Sequence, residues 1–454
     1  MKAAADVERT DARTPAERPR RRVVLYVLHA HPSIQAGGAE TYGLQLYEAM
    51  QENESFEPVL LARAGPPSFK SGAHLGSPIL AAGGDPNQYL LHTEYAAYDF
   101  FNQTLKDKSL YTGAFRAFLA SWRPDVIHFQ HTAFLGLDML TEARRSLPGA
   151  SIVYTLHEFL PICHNDGQMI KTDGSLCDQA SPRCCNGCFP QFSPQDFFMR
   201  QLFIKAHLAL VDQFVAPSRF LADRYIAWGL PEAKIRVEEN GRPEAVGAPR
   251  PAPPQGGARR DRFGFFGQLN HYKGPDLAIE AVHLLEERGL RPLPNLRLHG
   301  TNLDYQPEEF QERFRQLLAT SAQTVTLKGR YHPEEIGSLM EAIDWVVIPS
   351  RWWENSPLVI QEAFQHGRPV ICSDIGGMAE KVTDGVNGIH FRAGDASSLA
   401  DAMAAAAGDI GLWEKLSYGI PEIHSMRRHC LNLASIYSEL IATRQRKASG
   451  HAGA

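Results

Sequence analysis

Two glutamates eight positions apart, Glu354 and Glu362, carry the clearest chemical signal in this chain. Ser356 and Pro357 between them predict the N-cap and the first position of a helix, so that Glu354 precedes the helix and Glu362 lies inside it. The first turn of a helix offers unpaired backbone N–H groups, which bind phosphate. The two carboxylates would then bracket a bound anion, as a ligand with hydroxyl groups on both sides of a phosphate requires. The less specific interpretation is a solvated helix face.

The elements around these glutamates predict that the helix starts at the mouth of a sheet. Residues 344–349 are largely apolar and are typical of a buried parallel strand, which a loop connects to Glu354. The helix is expected to run to about Gln365 and to end near Gly367, before another strand begins at Val370. Because open α/β sheets bind ligands at the carboxyl ends of their strands, this helix start is the first candidate for a binding site.

Length and composition describe an ordinary globular protein. The chain has 454 residues, of which 44% are apolar and 21% are charged, and this predicts about two domains. The formal net charge of −5 gives no global attraction to nucleic acid. No uninterrupted apolar run reaches about 18 residues, so the sequence predicts no transmembrane helix.

Two series of alternating strands and helices predict an α/β fold. Strands are predicted at 23–28, 58–62, 125–129, 152–156, 213–217 and 234–238, and again at 263–266, 296–299, 325–328, 344–349, 370–372 and 389–391. The segment 246–260 between the two series is rich in proline and glycine and predicts a linker. We therefore expect two Rossmann-like domains, 23–245 and 261–425, that face each other across a cleft. Residues 426–454 are expected to form a terminal helix, which could cross back to the first domain, and a tail.

The first series carries two further candidates for ligand contacts. Gly37 and Gly38 lie between the first strand and the next helix, where glycines let backbone amides approach a phosphate; simple turn chemistry is the alternative. His157 follows the predicted strand 152–156, while His128 and His131 lie at the end of the neighbouring strand. Several histidines at adjacent strand ends favour a functional role over a structural one.

The whole pattern resembles the retaining glycosyltransferases of family 4, which have the two-domain GT-B fold. The resemblance extends from residue 23 to about residue 407. Its core is the motif Ser350-x-Trp-x-Glu-Asn-Ser-Pro with the second glutamate at 362, followed by Gly367-Arg-Pro-Val and by the pair Gly376-Gly377. Two glutamates at this spacing occur often by chance, but in this frame the pattern is specific.

The resemblance implies a nucleoside-diphosphate sugar that is bound mainly by the C-terminal domain. Glu362 would accept hydrogen bonds from the ribose, and Glu354 would contact hydroxyl groups of the donor sugar. Lys273 would neutralise the leaving diphosphate, and Tyr331 would lie at the nucleobase. The remaining contacts implied are phosphate binding by the helix start at Asn355, Ser356, Pro357 and Leu358, closure on the phosphates by Gly37 and Gly38, and a position beside the donor sugar for His157.

The resemblance also implies the chemistry. Breaking the anomeric bond releases a diphosphate, and fixed hydrogen-bond donors aimed at it lower the barrier. The sequence offers no evident carboxylate nucleophile, so we expect front-face displacement in which the departing phosphate helps to deprotonate the acceptor. Related enzymes usually have an arginine where this chain has Gln268. This departure weakens the inferred charge clamp and leaves the donor preference open.

The expected acceptor is a glycan or a lipid-linked molecule, in the biosynthesis of a cell-surface polysaccharide. The aromatic-rich stretch 65–108 is interpreted either as an insertion that faces the acceptor or as rings packed over the sheet edge. One alternative function is a sugar-nucleotide epimerase or phosphorylase on the same scaffold. The other is a noncatalytic sensor or scaffold that binds a sugar nucleotide. No cofactor is expected for the chemistry itself.

Five of the seven cysteines lie between residues 163 and 188. Cys185 and Cys188 have the C-x2-C spacing that lets two thiolates meet one metal ion, and with Cys163 and Cys177 they could form a structural zinc site. His164 and Cys184 are substitute ligands. The alternatives are an iron–sulfur cluster, free or redox-active thiols, and disulfides.

The N-terminal residues 1–22 are polar and basic and are expected to form a disordered tail without a secretory signal. This predicts a cytoplasmic protein, in which reducing conditions disfavour structural disulfides. The apolar stretch 197–204 predicts a helix packed on the sheet or, alternatively, a contact with a lipid-linked acceptor at the inner face of the membrane.

Overall fold

The computed structural model describes residues 20–35, 37–65, 77–244, 259–321 and 323–451. Its first sheet contains β1 (Arg22–Leu28), β2 (Phe56–Gly65), β3 (Ile79–Ala81), β4 (Gln88–His92), β7 (Val126–Phe129), β8 (Ser151–Thr155), β9 (Gln213–Ala216) and β10 (Ile235–Val237), and a short hairpin consists of β5 (Tyr98–Asp99) and β6 (Thr104–Leu105). The helices of this part are α1 (Gly38–Met50), α2 (Arg116–Trp122), α3 (Asp138–Ser146), α4 (Pro182–Cys188), α5 (Pro194–Leu208) and α6 (Arg219–Trp228).

The second sheet contains β11 (Arg262–Phe266), β12 (Asn295–His299), β13 (Val325–Gly329), β14 (Trp345–Ile348), β15 (Val370–Ser373) and β16 (Gly388–Phe391). Its helices are α7 (Pro275–Glu287), α8 (Glu308–Thr320), α9 (Ile336–Glu341), α10 (Leu358–Gln365), α11 (Gly376–Lys381), α12 (Ala396–Gly408) and α13 (Ile410–Tyr418), and α14 (Met426–His451) follows them. The linker predicted at 246–260 lies almost entirely outside the described residues.

The strand orders are those of two open α/β sheets. The first sheet has the order β10-β9-β8-β7-β1-β2-β4-β3, and the second has the order β13-β12-β11-β14-β15-β16. Neighbouring strands are parallel, except that β3 runs antiparallel to β4. The predicted α/β fold with two Rossmann-like sheets is therefore confirmed.

Apolar residues on both faces of the strands explain why the sheets are covered on both sides. In β1, Val23, Leu25 and Val27 belong to one core, whereas Val24 and Tyr26 belong to another on the opposite face. No strand was predicted in the stretch 65–108, but β3 and β4 within it extend the first sheet. Residues 66–76 of that stretch lie outside the described residues.

The long helix α14 crosses back and packs on the first sheet, as the sequence analysis allowed. Its residues Leu433 and Tyr437 are fully buried in the core that contains Val24 and Tyr26. The Tyr437 hydroxyl lies 2.6 Å from Nδ1 of His128, which is fully buried in β7. The second half of the chain therefore completes the core of the first half. Within the described ranges, no helix is long and apolar enough to span a bilayer.

Candidate functional site

Glu354 lies in the loop between β14 and α10 and is held by three donors. Its Oε1 atom accepts hydrogen bonds from Lys273 Nζ at 2.6 Å, Ser350 Oγ at 2.8 Å and Trp352 Nε1 at 2.9 Å. The residue is 6% exposed. Because a buried carboxylate needs a counter-charge and hydrogen bonds, these donors fix the side chain in one orientation. They place an ammonium group and a carboxylate together at the start of α10.

Two glycines allow the close packing that holds this loop. Gly274 precedes α7 with a φ of +68°, and a Cβ there would overlap the carbonyl oxygen of Pro349. Gly377 donates its N–H to the carbonyl of Glu354 at 2.6 Å, and a Cβ there would overlap the carbonyl oxygen of Asn355. Only glycine fits at positions 274 and 377. The second glycine of the pair Gly376-Gly377 is therefore required for packing in this fold.

The start of α10 corrects one detail of the sequence analysis. The helix begins at Leu358, and its N-cap residue is Pro357 rather than Ser356, so that no side chain caps it. Proline satisfies no orphan N–H with its side chain, and the helix terminus keeps its capacity to bind an anion. Of the residues that the structure describes, none forms a hydrogen bond with the buried Ser356 Oγ or Asn355 Oδ1. Buried polar atoms of this kind need a partner, and at a helix start a ligand can supply it.

Glu362, inside α10, is paired across the structure with Arg242, which follows β10. Their Nη2 and Oε1 atoms lie 2.7 Å apart. Burial raises the pKa of Glu362, and the arginine acts against that increase. Tyr331 packs edge-on against Phe266 with ring centroids 5.7 Å apart, next to the ring of His299. Burial raises the pKa of Tyr331 and the charge of Glu362 raises it further. Tyr331 also packs against the core that contains Ile360 and Phe364 of α10.

The first sheet presents Gly37 and Gly38 at the start of α1. Gly37 is the N-cap in an extended conformation, and no side chain caps this helix either. A Cβ built on Gly38 would lie 3.8 Å from Leu358 Cδ1 at the start of α10. The starts of two helices, one from each sheet, therefore face each other.

His157 follows β8 and touches the loop of the second sheet through its backbone. Asn355 Nδ2 donates to the His157 carbonyl at 2.8 Å. Nε2 of the imidazole lies 3.0 Å from Gln130 Oε1. Burial lowers the pKa of His157 well below its ordinary value, and His131, His29 and His128 lower it further. The imidazole is therefore neutral at physiological pH and can act as a hydrogen-bonding group.

The structure brings most of the residues predicted to bind the donor to one place. Glu354, Lys273, Asn355, Ser356, Pro357, Leu358, Gly38 and His157 are joined by the contacts above, and Gly37, Glu362 and Tyr331 adjoin them. Gln268 is exposed, and its Oε1 atom accepts a hydrogen bond from Asn270 at 3.1 Å.

Sequence reasoning missed Arg242 and Gln130. Neither residue belongs to a motif, and their partners Glu362 and His157 lie 120 and 27 positions away. The Asn240-Gly241 turn before Arg242 indicated only where a strand ends. For Arg242, the one signal in the sequence was a charged residue that directly follows this turn.

The cysteines of the 163–188 segment gather around one small cavity. Cys163, Cys177, Cys184, Cys185 and Cys188 are free thiols and line a cavity of about 30 Å³ together with His164 and Phe189. Among the described residues, the one set of three possible ligands with atoms within 4.8 Å of one another is Glu238, His424 and His429, not the cysteines. The zinc site at Cys163, Cys177, Cys185 and Cys188 therefore stays a prediction.

The Glu238 set is a hydrogen-bond cluster. Glu238 Oε1 accepts from His424 Nε2 at 2.9 Å, His429 Nδ1 at 3.0 Å and Asn432 Nδ2 at 3.0 Å. Despite burial, these contacts lower the pKa of Glu238 to about 2. One carboxylate oxygen therefore joins the segment after β10 to the start of α14.

Comparison with known proteins adds a family to this geometry. Residues 36–244 match the family model described as Glycosyltransferase Family 4, and residues 260–409 match the model described as Glycosyl transferases group 1. Together the two matches include Glu362, Glu354, Lys273 and both glycines of the α1 start.

Curated relatives include D-inositol 3-phosphate glycosyltransferases. The protein from Nocardia farcinica is 32% identical over 149 residues, which are 32% of this chain and 32% of that protein. The protein from Kribbella flavida is 24% identical over 424 residues, which are 88% of this chain and 90% of that protein. The chain thus covers about a third of the length of the first of these relatives.

Solved structures share the fold over nearly the whole chain. HepE from Anabaena in complex with UDP superimposes with a TM-score of 0.58 and 18% identity, covering 95% of this chain and 100% of that chain. Sucrose-phosphate synthase from Thermosynechococcus elongatus gives a TM-score of 0.63 and 17% identity, covering 93% of this chain and 100% of that chain.

Proposed function

Because this chain belongs to glycosyltransferase family 4 and has the GT-B fold, we propose that it transfers a sugar from a nucleoside-diphosphate sugar to an acceptor hydroxyl group. The observation that carries this proposal is the uncapped start of α10. It lies between Glu354 and Glu362 and faces the uncapped start of α1. Two helix starts offer N–H groups to the two phosphates of a donor.

The remaining contacts of the site fit the rest of such a donor. Glu362 would accept hydrogen bonds from the ribose, and the half-buried Tyr331 ring beside it would contact the base. On the other side of the phosphates, Glu354 would accept hydrogen bonds from the sugar hydroxyl groups. Since Lys273 and two further donors already hold Glu354 Oε1, the carboxylate is oriented before the donor arrives.

The proposed reaction breaks the bond between the anomeric carbon and the diphosphate oxygen and forms a bond from that carbon to the acceptor oxygen. The acceptor proton passes to the departing phosphate on the same face of the sugar, so the anomeric configuration is retained. Lys273 and the α10 start stabilise the negative charge that develops on the diphosphate. The neutral imidazole of His157 would hydrogen-bond a sugar hydroxyl group, and the Asn355 contact would keep it in place.

Two of the similar proteins suggest which substrates to test first. HepE of Anabaena forms complexes with UDP and with UDP-glucose, which supports uridine diphosphate sugars as donors. The curated relatives act on D-inositol 3-phosphate, which supports a phosphorylated polyol among the acceptors. A glycan or lipid-linked acceptor of polysaccharide biosynthesis, used in the cytoplasm, is the further proposal.

We propose a cavity beside the first sheet as the place where the acceptor binds. A cavity of about 490 Å³ lies beside β4 and is lined by residues that include His92, Thr93, Leu105 and Asp107. It is formed by the stretch that the sequence analysis considered as an acceptor-facing insertion. Exposed Phe198, Met199 and Leu202 on α5 support a contact with the membrane if the acceptor is lipid-linked.

A panel of sugar nucleotides tests the proposal. Purified protein is titrated with each donor by calorimetry and then assayed for donor hydrolysis and for transfer to inositol phosphate and to lipid-linked acceptors. We expect one donor to bind and to turn over with retained configuration, as read by NMR of the product. Binding without turnover on every acceptor would favour the noncatalytic sensor, and no binding of any donor would overturn the proposal.

A further inference from the structure

The segment 163–188, called here the cysteine loop, is ordered around its thiols. Two bonds fix its turns: the Cys177 N–H donates to the Met169 carbonyl at 2.8 Å, and the Gly167 N–H donates to the Cys163 carbonyl at 3.2 Å. Helix α4 places Cys185 and Cys188 three positions apart, on one face of a single turn. Three backbone segments thus direct thiols to the same small cavity.

A buried cation lies beside these thiols. Arg200 of α5 is 3% exposed, and its N–H groups donate to backbone carbonyls at Phe101, Leu160, Pro161 and Ile162. Within the described chain its guanidinium forms no ion pair, because the nearby Glu158 is paired with His131 at 2.9 Å.

Neutral thiols leave this guanidinium without an ion-pair partner. A buried guanidinium is costly without a negative partner. A neutral thiol carries no charge and cannot supply one. Thiolates bound to a metal can supply it, because metal binding displaces the thiol protons and four thiolates outweigh the charge of one divalent ion.

The cysteine loop also contacts the loop that carries Glu354. The Trp353 Nε1 donates to the Cys177 carbonyl at 3.2 Å. The Arg224 guanidinium lies 4.6 Å from the centre of the Trp353 ring and donates to the carbonyl of Asp178. Trp353 is 9% exposed and belongs to the core of the first sheet, although its neighbour Glu354 belongs to the site of the second.

We propose that Cys163, Cys177, Cys185 and Cys188 bind one metal centre, and that this centre fixes the Cys177 carbonyl that positions Trp353 and the Glu354 loop. The ligands release four protons to solvent, and Arg200 offsets part of the negative charge that remains. An all-thiolate set binds zinc or an iron–sulfur cluster. Metal binding itself does not depend on the proposed transfer reaction. The functional importance of positioning Glu354 rests on that proposed reaction.

Metal analysis tests whether the four cysteines bind a metal centre. Protein purified anaerobically with a thiol reductant is assayed for zinc, iron and acid-labile sulfide. We expect either one equivalent of zinc or iron with matching sulfide and visible absorbance, and we expect the double variant C185S/C188S to lose it. Cys430→Ser is the control, because this thiol lies on α14, outside the cysteine loop. Metal-free protein, a disulfide within the loop, or metal that survives the double substitution would overturn the assignment.

Hydrogen exchange tests whether the metal centre positions the Glu354 loop, without any assay of activity. Removal of the metal with a chelator should speed exchange in a peptide covering residues 350–357 and leave a peptide from α12 unchanged. Trp353→Phe should keep the metal but show the same faster exchange at 350–357. If this peptide exchanges equally with and without metal, the coupling is absent, whatever the outcome of the donor panel.

Discussion

Lys273 and Glu354 lie 81 positions apart in the chain and form an ion pair of 2.6 Å. The lysine precedes α7 and the glutamate precedes α10, so the pair joins the loops that follow two adjacent strands, β11 and β14. The carboxylate is more buried than the ammonium group, with side-chain exposures of 7% and 29%. A donor sugar that contacts Glu354 therefore meets Lys273 as well.

Neutralising this pair should abolish most of the proposed activity. For Lys273→Ala or Glu354→Gln we expect kcat to fall by about 10²–10³-fold, the cost of removing one preorganised electrostatic contact. Steady-state kinetics with the donor from the panel measures it. Lys415→Ala and Glu414→Gln, which change the same residue types at exposed positions of α13, should leave kcat unaltered. Equal rates in both sets of variants would remove the pair from the mechanism.

Glycine at 377 should be irreplaceable for packing. In Gly377→Ala the new methyl group would overlap the Asn355 carbonyl, and we expect unfolding to become easier by about 1–3 kcal/mol. Urea denaturation measures this. The control is Gly408→Ala. Gly408 is the last residue of α12, and no atom lies within 4 Å of a Cβ added there, so we expect no loss of stability. A Gly377→Ala protein as stable as this control would mean that the loop adapts.

Breaking the Arg242–Glu362 pair should make the stability of the protein depend on pH. In Arg242→Ala a buried carboxylate loses its counter-charge, which typically costs about 3–5 kcal/mol. The folded-state pKa of Glu362 is already above its ordinary value, and loss of the arginine raises it further. A raised carboxyl pKa favours the folded state at low pH, so the destabilisation should be larger at pH 7.5 than at pH 5.

Chemical denaturation of Arg242→Ala at the two pH values checks the sign of this effect. The double variant R242A/E362Q should remove the pH dependence, because no charge is left to bury. A loss that is the same at both pH values would point to lost packing instead.

Docking of α14 should depend on the Tyr437 hydroxyl. In Tyr437→Phe the buried Nδ1 of His128 loses its partner, and an unsatisfied buried polar atom costs about 1–3 kcal/mol. Thermal and urea unfolding measure the loss. Tyr418→Phe makes the same change at a side chain that is 88% exposed and should have no effect. If the two variants unfold alike, the hydrogen bond contributes nothing to the docking of the helix.

The sequence by itself determined most of the strands and helices and the order in which they occur. Apolar runs of strand length are properties of neighbouring residues, which is why β14 was predicted to within a few residues. The same local signals predicted that Glu354 precedes a helix and that Glu362 lies inside it. Ser356 was mistaken for the cap because proline at the N-cap has no sequence signal as strong as serine.

Only the tertiary structure decided which distant residues meet. Arg242 reaches Glu362, Trp353 reaches Cys177 and Tyr437 reaches His128 across 120, 176 and 309 positions. Such contacts depend on how the two sheets and helix α14 pack together. Hydrophobic periodicity predicts that a residue is buried, but it does not identify the distant residue that it contacts. The chain therefore specified its helix starts locally, whereas the charges and rings that complete the site came from packing between elements far apart in sequence.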